Sequence, residues 1–316
     1  MTAKHLYDKL NMWKYALEDE LVIYTVTLNP SIDYLMHPAA FSAGEINRSE
    51  YEKHTYGGKG INVSAMLANL GVKTRALGFV GGYSGEEIAH LARRAGIECD
   101  FCKICEPSRI NVKICASPET EINGKGPFIR IEEERLLLEK LYELTEEDTV
   151  IISGSAPESE SGVLVENVLD ACGMARIVAD MSGEALQSAI MRRPYLIKPN
   201  IAELCELFGT SEMTEEEVAG AAAKLRSQGV RNVAVSLGEK GAILASEDEN
   251  IYRMRAPQID VVSTVGAGDS FLAGFLAGEK NSPQFALALG VAAGSATASC
   301  DGIADGALVM DIFSKM

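Results

Sequence analysis

The chain has 316 residues, with 45 acidic against 29 basic side chains and a formal net charge of −16 at pH 7. Because so acidic a protein repels nucleic acid and anionic membrane surfaces, we expect neither as a partner, whereas a small anionic substrate is compatible with a locally positive site. An odd number of cysteines, seven, and the lack of a secretory leader or a long apolar run predict a reduced, cytoplasmic protein without membrane spans.

The first twenty residues are polar and differ in character from the rest of the chain. At Leu21 a β-branched run begins, Leu-Val-Ile-Tyr-Thr-Val-Thr27, which is typical of a buried strand. We therefore interpret residues 1–20 as an appendage outside the core and residues 21–316 as one domain.

Beyond residue 21, short apolar runs alternate with amphipathic stretches. This alternation predicts an α/β fold with a mostly parallel central sheet and helices on both faces, in which ligands bind beyond the carboxyl ends of the strands. Residues 29–50 and 98–130 contain short strands without intervening helices and predict a small β-sheet lid. The predicted strands are residues 75–80, 110–116, 148–153, 176–180, 195–198 and 232–237, and the predicted helices are residues 62–70, 86–95 and 214–228.

The segment Tyr56-Gly-Gly-Lys-Gly-Ile-Asn62 immediately precedes the first of these helices. Its backbone N–H groups, together with the cation of Lys59 and the amide of Asn62, suit a polyhydroxylated or phosphorylated ligand. Glycine-rich helix starts are common in α/β proteins, so this segment alone does not identify a ligand.

Two further segments follow strand ends. In Lys198-Pro-Asn-Ile-Ala-Glu203, Asn200 and Glu203 lie three residues apart on one helical face and could hold a hydrated Mg²⁺, although a plain surface pair is the simpler interpretation. The segment Ser236-Leu-Gly-Glu-Lys-Gly241 is either a hairpin turn or a loop against nucleotide phosphates.

The segment from Ile259 to Phe275 carries the most chemistry. A strand is predicted to end at Val262, a turn with Gly266 and Gly268 comes next, and a helix begins around Asp269. Two glycines let the backbone approach a ligand closely, and a helix N-terminus favours a phosphate or a developing anion. Asp269 could then accept a proton from an attacking hydroxyl; the alternative is that it merely caps the helix.

Other common catalytic patterns are missing from the sequence. There is no Gly-x-x-x-x-Gly-Lys-Ser/Thr loop, no Gly-x-Ser-x-Gly elbow and no His-Glu-x-x-His helix. With only four histidines and no partner in view for them, we do not expect histidine-based catalysis.

Taken in this order, the segments resemble the ribokinase/phosphofructokinase B family of carbohydrate kinases, from about Leu21 to the C-terminus. Gly57-Gly-Lys-Gly-Ile-Asn62 is similar to the family's first signature and Val265-Gly-Ala-Gly-Asp269 to its second. Ser263 matches the branch that acts on phosphorylated hexoses, where many other members have Asp. Ala156 stands where the family usually has Leu, and we expect only a packing change there.

The resemblance implies a central sheet flanked by helices, a β lid that often also makes a homodimer contact, and roles for individual residues. The implied catalytic residues are Asp269 with the backbone of Gly266, Ala267 and Gly268. The implied sugar-phosphate residues are Asp33, Arg48, Gly58, Lys59, Asn62, Arg109, Asn111 and Ser155. The implied nucleotide residues are Lys198, Ser236, Leu237, Gly238, Glu239, Lys240, Gly241, Gly268, Val291 and Ser295, with Asn200 and Glu203 at Mg²⁺.

The reaction that the resemblance implies is phosphorylation of fructose 1-phosphate at its 6-hydroxyl, with ATP and Mg²⁺. Tagatose 6-phosphate or fructose 6-phosphate, phosphorylated at the 1-hydroxyl, are the alternatives within the family. An inactive sugar-phosphate sensor and a nucleoside or ribose kinase are alternatives of other kinds. The sensor has no use for a base at Asp269, and a kinase of unphosphorylated sugars does not need Arg48 and Arg109.

Overall fold

The computed structural model describes residues 23–316, so the predicted appendage lies outside the described residues. Within them, a ten-stranded sheet forms the centre of the molecule. Its strands are β1 (Ile23–Thr27), β4 (Thr74–Gly81), β5 (Glu98–Cys99), β6 (Cys102–Ile104), β9 (Thr149–Ser153), β10 (Arg176–Asp180), β11 (Leu196–Ile197), β12 (Asn232–Ser236), β13 (Ala242–Ala245) and β14 (Ile251–Met254). Their order across the sheet is β14-β13-β12-β11-β10-β9-β1-β4-β5, and β6 is also paired to β4.

The central sheet is parallel except at one end, where β13 is antiparallel to both β12 and β14. All five residues of β9 are buried, as expected of a strand that is covered on both faces. The prediction of a mostly parallel α/β sheet is therefore confirmed.

Helices cover both faces of this sheet. Leu137, Val168 and Leu225 belong to one apolar cluster, whereas Met66, Leu272 and Val309 belong to the other. The helices are α1 (Lys59–Asn69), α2 (Gly82–Arg94), α3 (Ile131–Leu141), α4 (Leu164–Ala171), α5 (Gly183–Met191), α6 (Ile201–Phe208), α7 (Glu215–Ser227), α8 (Ala267–Gly278), α9 (Pro283–Ala298) and α10 (Gly306–Ser314). None of those in residues 23–316 is long and apolar enough to cross a bilayer.

A second, four-stranded sheet has the order β3-β2-β7-β8, with strands β2 (Ser31–Pro38), β3 (Ser49–Gly57), β7 (Arg109–Ile114) and β8 (Thr120–Asn123). Three of its strands, β2, β7 and β8, lie in the two segments that were predicted to form a lid, whereas β3 begins at the end of the first segment and runs past it to Gly57. The start of the second segment differs, because residues 98–104 form β5 and β6 along β4 of the central sheet.

The predicted strand ending at Val262 is wrong. Residues 255–262 form no strand, and the side chains of Val261 and Val262 are 63% and 62% exposed. The backbone N–H of Val262 instead donates to the carbonyl of Ala298 at 2.8 Å, so the segment is a connection that runs along the end of α9.

Candidate active site

A cleft of about 620 Å³ lies between the carboxyl ends of the central strands and the second sheet. Thr27, Ser153 and Ser236 line it from the ends of β1, β9 and β12, and Asp33 and Asn111 line it from the second sheet. The cleft is therefore at the edge of the sheet where the parallel topology predicts ligand binding.

The turn before α8 has the geometry of an anion site. Gly266 adopts a left-handed conformation, with φ of 77°, and is the residue that caps α8, so the helix begins at Ala267. The alternative in which Asp269 is the cap is thereby contradicted. In the first turn of a helix, N–H groups have no intrahelical acceptor and carry partial positive charge, and here Gly266, Gly268 and Asp269 line the cleft.

The carboxylate of Asp269 is buried and accepts a hydrogen bond of 2.8 Å from the side-chain amide of Asn62. Burial, followed by the negative charge of Asp180, raises the pKa of Asp269 to about 6, against the opposing effects of Asn62 and two lysines. A carboxylate with this pKa is a better proton acceptor than an ordinary Asp and is still ionised at neutral pH.

Those two lysines, Lys59 and Lys198, share one partner beneath the cleft. The Oδ1 atom of Asp180 lies 3.1 Å from Nζ of Lys59 and 3.3 Å from Nζ of Lys198. Burial lowers the pKa of Lys59, but the nearby carboxylates, Asp180 foremost, raise it above its ordinary value, so the ammonium stays charged.

Asp180 is a residue that the sequence reasoning missed. The available signal was an acid at the end of the apolar run Arg176-Ile-Val-Ala-Asp180, since the carboxyl ends of parallel strands meet at the ligand edge. Only the fold shows that it meets two lysines there.

The second sheet contributes a polar network around Asp33. Its Oδ1 atom accepts hydrogen bonds from Ser31 at 2.7 Å and from Asn111 at 3.0 Å, and its Oδ2 atom lies 3.4 Å from Nζ of Lys113. A Cβ on Gly57 would lie 2.3 Å from Asp33 Oδ1, so the glycine leaves room for this carboxylate. The hydrogen-bonded acid is suited to accept hydrogen bonds from sugar hydroxyls.

Arg109 also lines the cleft and is held by its backbone surroundings. Its guanidinium donates to the carbonyls of Asn29 at 3.1 Å and Gly124 at 3.3 Å. Burial lowers the pKa of Arg109, but a guanidinium stays charged at any physiological pH. Its remaining N–H groups are available to an anion.

The charge of the cleft differs from that of the whole chain. Among the described residues that line it, there are as many cations as acids, although acids far outnumber bases in the sequence. The cations are Lys59, Arg109, Lys113 and Lys198, and the acids are Asp33, Glu121, Glu203 and Asp269.

Most of the predicted sugar-phosphate residues meet in this cleft, including Gly58, Asn62 and Ser155. Arg48 does not, since it is exposed in the connection between β2 and β3.

The predicted nucleotide residues are divided. Ser236 and Lys198 line the cleft, whereas Leu237 and Gly238–Gly241 form the turn between β12 and β13, in agreement with the hairpin interpretation. Val291 and Ser295 are buried on α9 and do not line this cleft. Their adenine role stays a prediction.

Asn200 and Glu203 form a reciprocal cap at the start of α6. Asn200 Oδ1 accepts from the backbone N–H of Glu203, and Glu203 Oε2 accepts from the backbone N–H of Asn200, each at 2.9 Å. The Oε1 atom of Glu203 is left over, and both residues line the cleft. Among residues 23–316 no cluster of three or more acids, His or Cys forms a metal cage, so these donors fit a largely hydrated ion better than an all-protein site.

Comparison with known proteins agrees with this geometry. The 1-phosphofructokinase of Bacillus subtilis strain 168 is 46% identical over 281 residues, covering 88% of this chain and 92% of the relative. The D-tagatose-1-phosphate kinase of Bacillus licheniformis is 32% identical over 90% of this chain and 95% of its own. The structure of phosphofructokinase-2 from Escherichia coli in complex with fructose-6-phosphate superposes with a TM-score of 0.85 at 28% identity, covering 94% of this chain and 99% of that one.

The match to a described family covers nearly the whole of the described chain. Residues 26–308 match the pfkB family of carbohydrate kinases, and this range includes every cleft residue named above. The turn at Gly266, the buried Asp269 and the polar network around Asp33 thus have a common explanation: the chain belongs to the pfkB family of carbohydrate kinases, phosphotransferases with an alcohol group as acceptor and ATP as donor.

Proposed function

We propose that this chain transfers the γ-phosphoryl group of ATP to the 6-hydroxyl of fructose 1-phosphate, giving fructose 1,6-bisphosphate and ADP. The observation that carries the chemistry is the buried carboxylate of Asp269 beside the N-terminal turn of α8, with its pKa raised to about 6. The choice of sugar is supported by the 46% identity to a 1-phosphofructokinase, against 32% to the tagatose-1-phosphate kinase.

In this mechanism the oxygen of the sugar's 6-hydroxyl attacks the γ-phosphorus and ADP leaves. Asp269 accepts the proton of that hydroxyl during the attack. Asn62 keeps the carboxylate in place through its hydrogen bond. The backbone N–H groups of Gly268 and its neighbours stabilise the charge that builds up on the transferred group, which is the largest catalytic contribution expected in such a reaction.

The sugar phosphate would be held from the second sheet. Asp33 and Asn111 would bind hydroxyl groups, and Arg109 would bind the 1-phosphate through its free N–H groups. Mg²⁺ would be held by Glu203 and, through water, by Asn200; when bound it neutralises charge on the β- and γ-phosphates.

Initial rates on four acceptors test this proposal: fructose 1-phosphate, tagatose 1-phosphate, fructose 6-phosphate and tagatose 6-phosphate, each at saturating ATP. We expect kcat/KM for fructose 1-phosphate to exceed the others by at least about tenfold, the discrimination that a few differential contacts supply. A higher kcat/KM for either 6-phosphate reverses the assignment of phosphate and hydroxyl ends. A higher value for tagatose 1-phosphate keeps the ends but changes the sugar.

We also propose that the protein is a homodimer that associates through the second sheet. Side chains alternate between the two faces of a strand. Asp33 on β2 and Asn111 and Lys113 on β7 face the cleft, so the residues that alternate with them on these strands face away from it. Tyr34, Met36 and Val112 on that face are only partly buried, and Ile122 beside Val112 is 60% exposed. An apolar surface of this kind favours association.

A further inference from the structure

We propose that Asp180 is a positioning residue for phosphoryl transfer, whose carboxylate holds the ammonium groups of Lys59 and Lys198 together at the floor of the cleft. This inference rests on the proposed kinase function and concerns a residue that does not itself line the cleft.

Asp180 joins three separate elements. It is the last residue of β10, Lys198 directly follows the neighbouring strand β11, and Lys59 is the first residue of α1. Its side chain is fully buried, with one oxygen 3.1 Å from Lys59 Nζ and 3.3 Å from Lys198 Nζ. These contacts place two like charges around a single acceptor atom.

The two lysines could not keep this arrangement alone. Ammonium groups that share one acceptor in a poorly solvated site repel each other strongly, and the carboxylate between them offsets that repulsion. The side chain of Lys59 is 38% exposed and has room to turn into solvent, whereas that of Lys198 is 5% exposed and does not. Without the charge of Asp180, we expect Lys59 to turn away into solvent and Lys198 to lose its position.

Lys198 lies beside the turn before α8, where the proposed function places the transferred phosphoryl group, and Lys59 lines the same cleft. Nζ of Lys198 is 3.4 Å from the point that a Cβ on Gly268 would occupy, which is beside the first N–H groups of α8. The Cβ and Cγ atoms of Lys59 are 3.8 Å from the point that a Cβ on Gly154 would occupy, so the aliphatic part of this side chain lies against Gly154.

The other oxygen of Asp180 argues against a purely structural role. Oδ2 is buried and has no hydrogen-bond partner among the described residues. A half-satisfied buried carboxylate lowers stability compared with an apolar residue of similar size, so its position is better explained by the lysines it orders than by packing.

A double-mutant cycle tests the proposal. In the wild-type background, we expect Asp180→Asn to lower kcat by about 10- to 100-fold, the scale of losing well-placed charges in the transition state, with KM for fructose 1-phosphate within about threefold. In a background that carries both Lys59→Met and Lys198→Met, the same substitution should lower kcat by no more than about threefold, because both charges that it orders have gone. Equal fold losses in both backgrounds, or a wild-type kcat for Asp180→Asn, would overturn the proposal.

Asp170→Asn is the matched control. It makes the same substitution in an ion pair on α4, where Asp170 lies 2.6 Å from Arg192 with a side chain that is 65% exposed. We expect wild-type kinetics for it.

Two measurements keep the test decisive. If Asp180→Asn does not fold, as judged by circular dichroism and thermal unfolding, the cycle of Lys59→Met and Lys198→Met replaces it. Additive effects of these two substitutions on kcat would contradict a shared anchor.

The shift in melting temperature on adding a non-hydrolysable ATP analogue reports nucleotide binding without turnover, and should be smaller in Asp180→Asn than in Asp170→Asn. An equal shift would count against ordered lysines, whereas a wild-type protein inactive on every sugar phosphate would remove the proposed function itself.

Discussion

At the scale of single residues, the cleft places a carboxylate where its charge is unfavourable. Asp269 is buried and lies near a second acid, Asp180, so its pKa is raised to about 6. Folding therefore favours the protonated form, and the stability contributed by that form is lost as pH rises from the ordinary Asp value to about 6. The same raised pKa that lowers stability at neutral pH makes Asp269 a stronger proton acceptor than an ordinary carboxylate.

The pH dependence of turnover depends on the same pKa. Because the base must be ionised, we expect kcat/KM for fructose 1-phosphate to fall as pH is lowered through about 6, by roughly tenfold per unit below it. A pH–rate profile with direct detection of ADP measures this fall. Activity that held constant down to pH 4 would indicate an ordinary carboxylate or another base.

Asp269→Asn provides the control for that profile. Loss of a general base should lower kcat by about 10²- to 10⁴-fold, and the residual activity should lack the acid fall. Because the amide carries no buried charge, the variant should also unfold at a higher temperature than wild type above pH 6. A variant within a few-fold of wild-type activity would show that Asp269 is not the base.

At the scale of elements, the turn before α8 depends on the left-handed conformation of Gly266. We expect Gly266→Ala to cost about 1 kcal/mol of stability through backbone strain and to lower kcat, since a new Cβ would also lie 2.7 Å from Ile303 Cδ1 and displace the N–H groups of the turn. Thermal unfolding and steady-state kinetics measure the two effects.

Gly96→Ala is the comparison for this prediction. Gly96 also has a positive φ, of 80°, but an added Cβ would meet nothing within 4 Å. It should lose similar stability and keep its kcat. Parallel losses of kcat in both variants would mean that the turn at Gly266 has no special role.

Many of the strand bounds and helix starts could be predicted from the sequence. The apolar runs at 148–153 and 176–180 are strands within a residue of their predicted bounds, and Thr214 caps α7 together with Glu217 as its spacing indicates. The β-branched run before the Gly266 turn led to the wrong prediction of a strand there. The β-propensity of a segment does not reveal whether a neighbouring strand is available to pair with it.

The site was predictable only where chemistry lies within one segment. Gly266–Asp269 and Asn62 could be identified from local motifs. Asp180 could not be identified in this way, because its role depends on a contact with Lys59, which lies 121 positions earlier in the chain. The pattern of apolar residues in β5 and β6 likewise does not show whether these short strands pair with the central sheet or with the second sheet.

At the scale of the whole molecule, the proposed dimer predicts the effect of one exposed residue. Ile122→Glu places a charge on the apolar face of the second sheet, where it would have to be desolvated on association. We expect sedimentation velocity to show a shift from dimer to monomer, with the melting temperature little changed. Met174→Glu, at a residue that is 77% exposed between α4 and β10, should leave the dimer intact. A monomeric wild-type protein, or an unchanged dimer in Ile122→Glu, would contradict the second sheet as the contact.

The hydrogen bond between Asn62 and Asp269 has a consequence for synthesis of the protein. It joins residues 207 positions apart, and β1 lies in the middle of the central sheet between β4 and β9. A chain growing on the ribosome can therefore form the early strands of the cleft first, but it does not contain the proposed base, or the helix turn beside it, until α8 has been synthesised. If Asp269 is the base, we expect chains that stop before α8 to have no kinase activity.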